Sequence, residues 1–116
     1  MYSLHKSEAT VLDLPARIVN VFVGNEKLSS DRMTVGLTEV HPKTAMDPHV
    51  HEDKEEIIFV IEGYGEADVG GSIEILEPYT AVKFPIGVKH QVVNKGRNIL
   101  KFVFVFNPPI DLSTAK

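Results

Sequence analysis

The hydrophobic residues of this chain fall into short segments separated by glycine and proline, and this pattern constrains the fold more than any other feature. The segments are rich in β-branched and aromatic residues, and several alternate polar with apolar positions as half-buried strands do. They cover residues 18–23, 33–40, 57–61, 66–69, 72–75, 81–84, 91–93 and 99–106. Gly70-Gly71 predicts a tight hairpin, and no segment has the period of a helix of ordinary length. The sequence therefore predicts an all-β fold, an antiparallel barrel or sandwich.

Length and composition narrow the protein class. We expect one domain over residues 1–116, since this length suffices for a single hydrophobic core. Cysteine is absent, which excludes disulfides, zinc–thiolate sites, iron–sulfur clusters and a thiol nucleophile. The net charge of −4 and the scattered basic residues argue against a nucleic-acid partner. The N-terminus lacks a signal-peptide pattern and the longest apolar run is too short for a membrane helix, so we expect a cytoplasmic protein without a membrane partner.

A cluster of metal-ligating residue types lies between His49 and Glu56. In an extended segment, residues two apart point to the same side, so His49 and His51 can present their imidazoles together. Glu56 opens the next predicted strand and can return a carboxylate to the same place. Taken alone, a His-x-His pair arises by chance and residues 52–56 form an ordinary solvated charged run, so the pattern leaves metal binding open.

His90 is the candidate for a further ligand. It follows Pro85 and Gly87, which set a rigid turn before a strand. Three neutral imidazoles and one carboxylate suit a first-row divalent ion at ligand distances of about 2.0–2.2 Å. A lone histidine at the start of a strand is also commonly a surface or core residue, and this alternative stays open on the residues alone.

The spacing of the first cluster resembles the first motif of the cupin superfamily. That motif has His-x-His, three or four residues, Glu, six residues and Gly, and this chain has His49-x-His51, then Glu56 and Gly63 at those intervals. The register selects Glu56 as the ligand, because Glu55 lies one position too far from the glycine. Glu55 is then expected to be a solvent-facing acid.

The second cluster resembles the second cupin motif, Pro-x-Gly, two residues, His, three residues, Asn. Pro85, Gly87, His90 and Asn94 occur at these intervals and in the right order after the first motif. The resemblance covers about residues 40–106. It implies a double-stranded β-helix, or jelly roll, that holds one divalent ion of manganese, iron, nickel or zinc.

The resemblance departs from the family at two turns. Lys43 and Tyr79 stand where the motifs begin with glycine. Glycine is useful at such positions because positive φ costs it little. The departures affect the turn geometry and leave the implied ligands untouched.

In this family the ligand strands line the inside of the barrel, which implies a mainly apolar pocket. Strand alternation then assigns to its lining Ile58, Val60, Val92, Phe102, Phe104 and Phe106, although plain core packing is the alternative for the phenylalanines. Weaker polar candidates for the pocket mouth are His41, Glu39, Tyr64, Arg32 and Gln91. His41 is the weak candidate for a catalytic proton-transfer residue, and an ordinary surface role is the alternative for all five.

Two classes of function follow from the resemblance. One is a metal-dependent enzyme acting on a small polar organic molecule, either by Lewis-acid isomerase, lyase or decarboxylase chemistry or as a dioxygenase. The other is a binding module that holds a small ligand or a metal ion without turnover. The resemblance also implies a homodimer, for which residues 18–23 are the predicted pairing edge.

Overall fold

A computed structural model describes residues 1–24 and 26–112 of the chain. Apart from one 3₁₀ turn at Lys6–Glu8, the regular elements of these residues are strands. Their bounds are β1 (Thr10–Leu14), β2 (Arg17–Gly24), β3 (Leu28–Ser29), β4 (Thr34–Val40), β5 (Thr44–Ala45), β6 (Glu55–Glu62), β7 (Gly65–Val69), β8 (Ser72–Leu76), β9 (Ala81–Phe84), β10 (His90–Asn94) and β11 (Leu100–Asn107). The described part of the chain includes no helix long and apolar enough to cross a membrane.

The strands form two sheets. The larger has seven strands in the order β1-β2-β4-β11-β6-β9, with the short β3 pairing β2, and the smaller has the order β5-β10-β7-β8. Every named pair is antiparallel except β2 with β3. The predicted all-β fold is confirmed, and the arrangement is that of a jelly roll. Gly70 and Gly71 turn β7 into β8 with φ of 58° and 94°, as the hairpin signal predicts.

The strict alternation of β11 places its aromatic side chains inside. Phe102, Phe104 and Phe106 are buried, whereas Lys101 is partly exposed. Burying each of these rings stabilises the fold by about 1.5–3 kcal/mol. Gly36 lies opposite Phe104 on β4, and a Cβ there would come within 2.4 Å of the ring. The absence of a side chain at this position gives the Phe104 ring its room.

The two turns that lack the family's glycines adopt the conformation that glycine favours. Lys43 has a φ of 57° and Tyr79 a φ of 72°, both in the left-handed region. Each costs on the order of 1 kcal/mol relative to glycine. Hydrogen bonds hold both turns in place. The Tyr79 amide donates to Val60 O at 2.8 Å, and Thr44 Oγ1 donates to His41 O at 2.8 Å. The departures from the motif therefore preserve the turn geometry.

The prediction that residues 18–23 form a sheet edge is wrong. They belong to β2, which pairs with β1 on one side and β4 on the other. β1, which alternates weakly and carries Asp13, has no counterpart among the predicted strands, and it occupies the edge instead. Dimer formation itself stays a prediction.

Candidate metal centre

Side chains from both motifs converge on one point. The ligand atoms of His51, Glu56 and His90 all lie within 4.8 Å of one another. Glu56 Oε1 is 3.6 Å from His51 Nε2 and 3.5 Å from His90 Nε2. Two imidazole nitrogens and a carboxylate oxygen are donors that first-row divalent ions prefer, so the residues present fit such an ion.

Backbone pairing brings the two motifs together. The amide of His49 donates to His90 O at 2.8 Å and the amide of His90 returns a bond to His49 O at 2.9 Å. Next to this bridge, the Gly87 amide donates to His51 O at 2.9 Å. The irregular segment that contains His49 and His51 is therefore fixed on the turn that precedes β10.

His90 is held in one orientation. Its ring is 5% exposed and stacks on Phe84 with centroids 4.1 Å apart and an interplanar angle of 2°. Its Nδ1 lies 3.3 Å from Val88 O. Val88 O can only accept a hydrogen bond, so a proton on Nδ1 satisfies this contact and leaves Nε2 free to bind a metal ion. His51 is packed edge-on against Phe106, with centroids 5.0 Å apart.

His49 lies at the periphery of this group. Its ring centroid is 6.1 Å from those of His51 and His90, and its nitrogens are outside the set that lies within 4.8 Å. The structure thus brings together three of the four predicted ligands. His49 lines the same cavity, so its role as the fourth ligand stays a prediction.

The electrostatics of the centre favour the protonation states that metal ligands need. Burial by itself would raise the pKa of Glu56, but the imidazoles of His51 and His90 beside its carboxylate outweigh this effect and lower the pKa. Burial, with smaller contributions from Arg17 and the neighbouring histidines, lowers the pKa of His49. Glu56 is consequently ionised and His49 neutral at neutral pH.

The centre forms part of the wall of a cavity of about 260 Å³. Most of the remaining lining is apolar, and it comes from both sheets and from the segment after β11. These side chains are Val19, Met46, Phe84, Val92, Phe102, Phe104, Phe106, Ile110 and Leu112. Arg17, Thr38 and Asp111 add polar groups. The volume is slightly below the roughly 300–1,000 Å³ of pockets for drug-sized ligands, so the cavity suits a small molecule.

The predicted lining is partly corrected. Val92, Phe102 and Phe104 line the cavity, but Ile58 and Val60 do not. Both are fully buried in the core, where Ile58 pairs with Phe104 and Val60 with Phe102 across β6 and β11.

The polar candidates for the pocket mouth do not reach the cavity. None of these five lines it: His41, Glu39, Tyr64, Arg32 and Gln91. Glu39 instead accepts a hydrogen bond from Asn20 at 3.0 Å and pairs with Lys6, and Gln91 donates to Met46 O at 3.0 Å. His41 follows the end of β4, away from the cavity lining, so the structure gives it no contact with a reacting group.

Eight residues of the cavity lining were not predicted from the sequence, and Arg17 and Ile110 show why. Arg17 lies two residues before Val19, so strand alternation could have placed it on the same side of the strand. However, it precedes the predicted strand over residues 18–23 and therefore resembles a turn residue. Ile110 enters the cavity because Thr34 fixes it: the Ile110 amide donates to Thr34 Oγ1 at 3.1 Å and the hydroxyl donates back to Ile110 O at 3.3 Å. No sequence pattern marks that contact between residues so far apart in the chain.

The two adjacent glutamates provide a matched test of the register. We expect Glu56→Gln to weaken metal binding about 100-fold or more, because it removes the charged oxygen donor from a buried site. Glu55→Gln should leave metal binding unchanged, since Glu55 is 46% exposed at its side chain and faces Lys83 at 3.7 Å. Metal content after identical loading and dialysis, measured by elemental analysis, checks both. The opposite order would show that Glu55 is the ligand.

Comparisons with known proteins agree with this architecture. A curated protein, polyketide synthase CurC of Streptomyces cyaneus, is 30% identical over 74 residues, which are 64% of this chain and 48% of that protein. This chain therefore matches about half the length of that relative. The crystal structure of TT1209 from Thermus thermophilus is 30% identical with a TM-score of 0.66, covering 70% of this chain and 77% of that chain.

A further solved structure has the same fold over nearly the whole chain. The polyketide cyclase RemF from Streptomyces resistomycificus has a TM-score of 0.80 at 23% identity, covering 92% of this chain and 79% of that chain. At this identity the likeness shows the fold alone. The Cupin domain family model matches residues 36–106, which is more than half of the chain and includes the whole candidate centre. On its fold, its two motifs and this match, the chain belongs to the cupin family.

Proposed function

We propose that this protein is a metal-dependent enzyme that acts on a small oxygenated organic molecule with an apolar or aromatic body. The observation that carries the proposal is the convergence of His51, Glu56 and His90 on the wall of a mainly apolar cavity. Donors of this kind fit a divalent ion, and the adjoining space fits a small molecule beside it.

His51, Glu56 and His90 would hold the ion, with His49 as the fourth ligand implied by the first motif. Manganese, iron, nickel or zinc bound there would act as a Lewis acid on a carbonyl or enol oxygen, and iron or manganese would add oxygen-dependent chemistry. The chain's own contribution is orientation. Stacking on Phe84 and the contact with Val88 O fix the imidazole of His90.

The phenyl rings of Phe102, Phe104 and Phe106 give the cavity that adjoins the ligands an apolar wall. In such a surrounding, charges and dipoles interact more strongly than in water. The same rings provide flat apolar surfaces for an aromatic substrate. Among the described residues that line the cavity, Glu56 is the buried acid, and as a ligand it is not free to move protons.

The relatives support an aromatic or polyketide-type substrate. One is named a polyketide synthase and another a polyketide cyclase, and the phenylalanine-rich cavity suits the same kind of molecule. We therefore favour redox-neutral Lewis-acid chemistry over a dioxygenase reaction. A binding module without turnover is the alternative that the experiment has to separate from the enzyme.

The test combines metal analysis with turnover. Protein purified without a histidine tag is analysed for metals and reconstituted with each of the four ions. It is then incubated with oxygenated one- and two-ring aromatic compounds and β-diketones, with and without oxygen, and products are followed by mass spectrometry. We expect one metal per chain and turnover that Glu56→Gln abolishes and Glu55→Gln retains. Metal binding without any turnover would favour the binding module, and failure to bind any of the ions would refute the proposal.

A further inference from the structure

Arg17 is a charged side chain in an apolar place. It is 9% exposed, lies at the start of β2 and lines the cavity beside Val19 and Phe102. Its guanidinium donates one hydrogen bond, from Nη1 to Pro15 O at 3.1 Å. Within residues 1–24 and 26–112, no carboxylate oxygen lies within 4.0 Å of it. A buried cation without a close counter-ion is unfavourable, so an unpaired arginine here calls for an explanation.

The remaining donors of Arg17 open onto the cavity. No buried side-chain nitrogen in the described part of the chain lacks a partner, so the guanidinium nitrogens that have none retain some accessible surface. Since the residue lines the cavity and is otherwise covered, a molecule in the cavity can reach that surface. Burial lowers the pKa of Arg17, while Asp47 and Glu56 oppose the change, and the group still carries its charge at neutral pH.

Position and charge together indicate the class of ligand. The strands β4 and β11 stand between β2, which carries Arg17, and β6, which carries Glu56. Through Val40, Arg17 is level with Leu100 at the start of β11, whereas Glu56 pairs with Phe106 near its end. The phenylalanines of β11 follow Leu100 along the strand and line the cavity that Arg17 and Glu56 share. Arg17 is also the only lysine or arginine among the described lining residues. A single guanidinium balances the one negative charge of a carboxylate, whereas a phosphate dianion carries a second charge that no other lysine or arginine of the described lining meets.

We propose that Arg17 anchors the carboxylate of an aromatic acid whose ring packs among Phe102, Phe104 and Phe106 and whose far end faces the metal centre. This rests on the proposed function for what happens at that far end, but the anchoring step is independent of it. Arg17 would then decide which oxygenated aromatic molecules the enzyme accepts. Its bond to Pro15 O holds the fork in place across the turn between β1 and β2.

The experiment compares an acid with its neutral amide. Binding of benzoate and 2-naphthoate, and of the corresponding carboxamides, is measured by calorimetry with wild type, Arg17→Met and Arg17→Lys. Wild type should prefer the acids, and Arg17→Met should weaken acid binding about 10- to 100-fold while changing amide binding less than about twofold. Arg17→Lys should restore part of the preference, because it keeps the charge without the planar fork. Arg97→Met, which removes an exposed arginine, should bind like wild type.

The metal content of each protein is measured as well, so that the test of the Arg17 anchor is separate from the test of the metal-dependent enzyme. A merely structural role for Arg17 predicts equal losses for acid and amide, and that result would overturn the anchor. Equal binding of acid and amide to wild type, or no saturable binding of either acid, would also overturn it without needing a variant that folds. A preserved preference for acids in protein that binds no metal would support the anchor and refute the metal-dependent enzyme. Normal metal content in wild-type protein that does not prefer the acids would overturn the anchor and leave the metal-dependent enzyme intact.

Discussion

Replacing His90 by alanine is expected to reduce metal affinity by at least about 100-fold, so that protein loaded and dialysed like the wild type retains little metal. The substitution removes one of three converging ligands and also the ring that stacks on Phe84. It leaves Glu56 with one imidazole partner instead of two. Elemental analysis and the shift of the unfolding temperature on adding EDTA measure the effect independently, since a metal that binds only the folded state stabilises it.

His41→Ala is the matched control. It removes the same type of side chain from a half-buried position outside the cavity lining, so metal content and the response to EDTA should equal those of the wild type. His90→Gln keeps more of the volume against Phe84 and distinguishes the loss of a ligand from a failure to fold. Full metal content in a folded His90 variant would mean that the second motif supplies no ligand.

The strands that carry the candidate ligands could be predicted because their signals are local. β6 and β10 are short runs of β-branched residues that glycine and proline delimit, and the period of two assigns Phe102, Phe104 and Phe106 to the inside. The spacing of the two motifs similarly picks out His51, Glu56 and His90, which the structure brings together. These features depend on residues that are close together in the chain, so the sequence alone is enough to predict them.

Features that depend on which strands become neighbours could not be predicted in this way. Residues 18–23 have the composition of any strand, and only pairing with β1 makes them interior. Arg17 looks like a turn residue until the hairpin and the sheet order place it on the cavity wall. Lys43 and Tyr79 are the opposite case, because both turns have the positive φ that glycine favours although neither residue is glycine. Tertiary contacts outweighed local preference there.

At Ile58 the local pattern and the tertiary structure disagree, because alternation predicts a pocket residue and the structure shows a core residue. Ile58→Ala should lower the free energy of unfolding by about 2–5 kcal/mol, since it empties volume around a fully buried side chain, and the unfolding temperature should fall by roughly 10 °C or more. Metal content and the preference for aromatic acids should remain those of the wild type. Ile61→Ala is the control on the same strand, as Ile61 is 41% exposed and its truncation should change the unfolding temperature little. If Ile58→Ala instead left stability intact and altered ligand binding, Ile58 would line the pocket as alternation predicts and would not be a core residue.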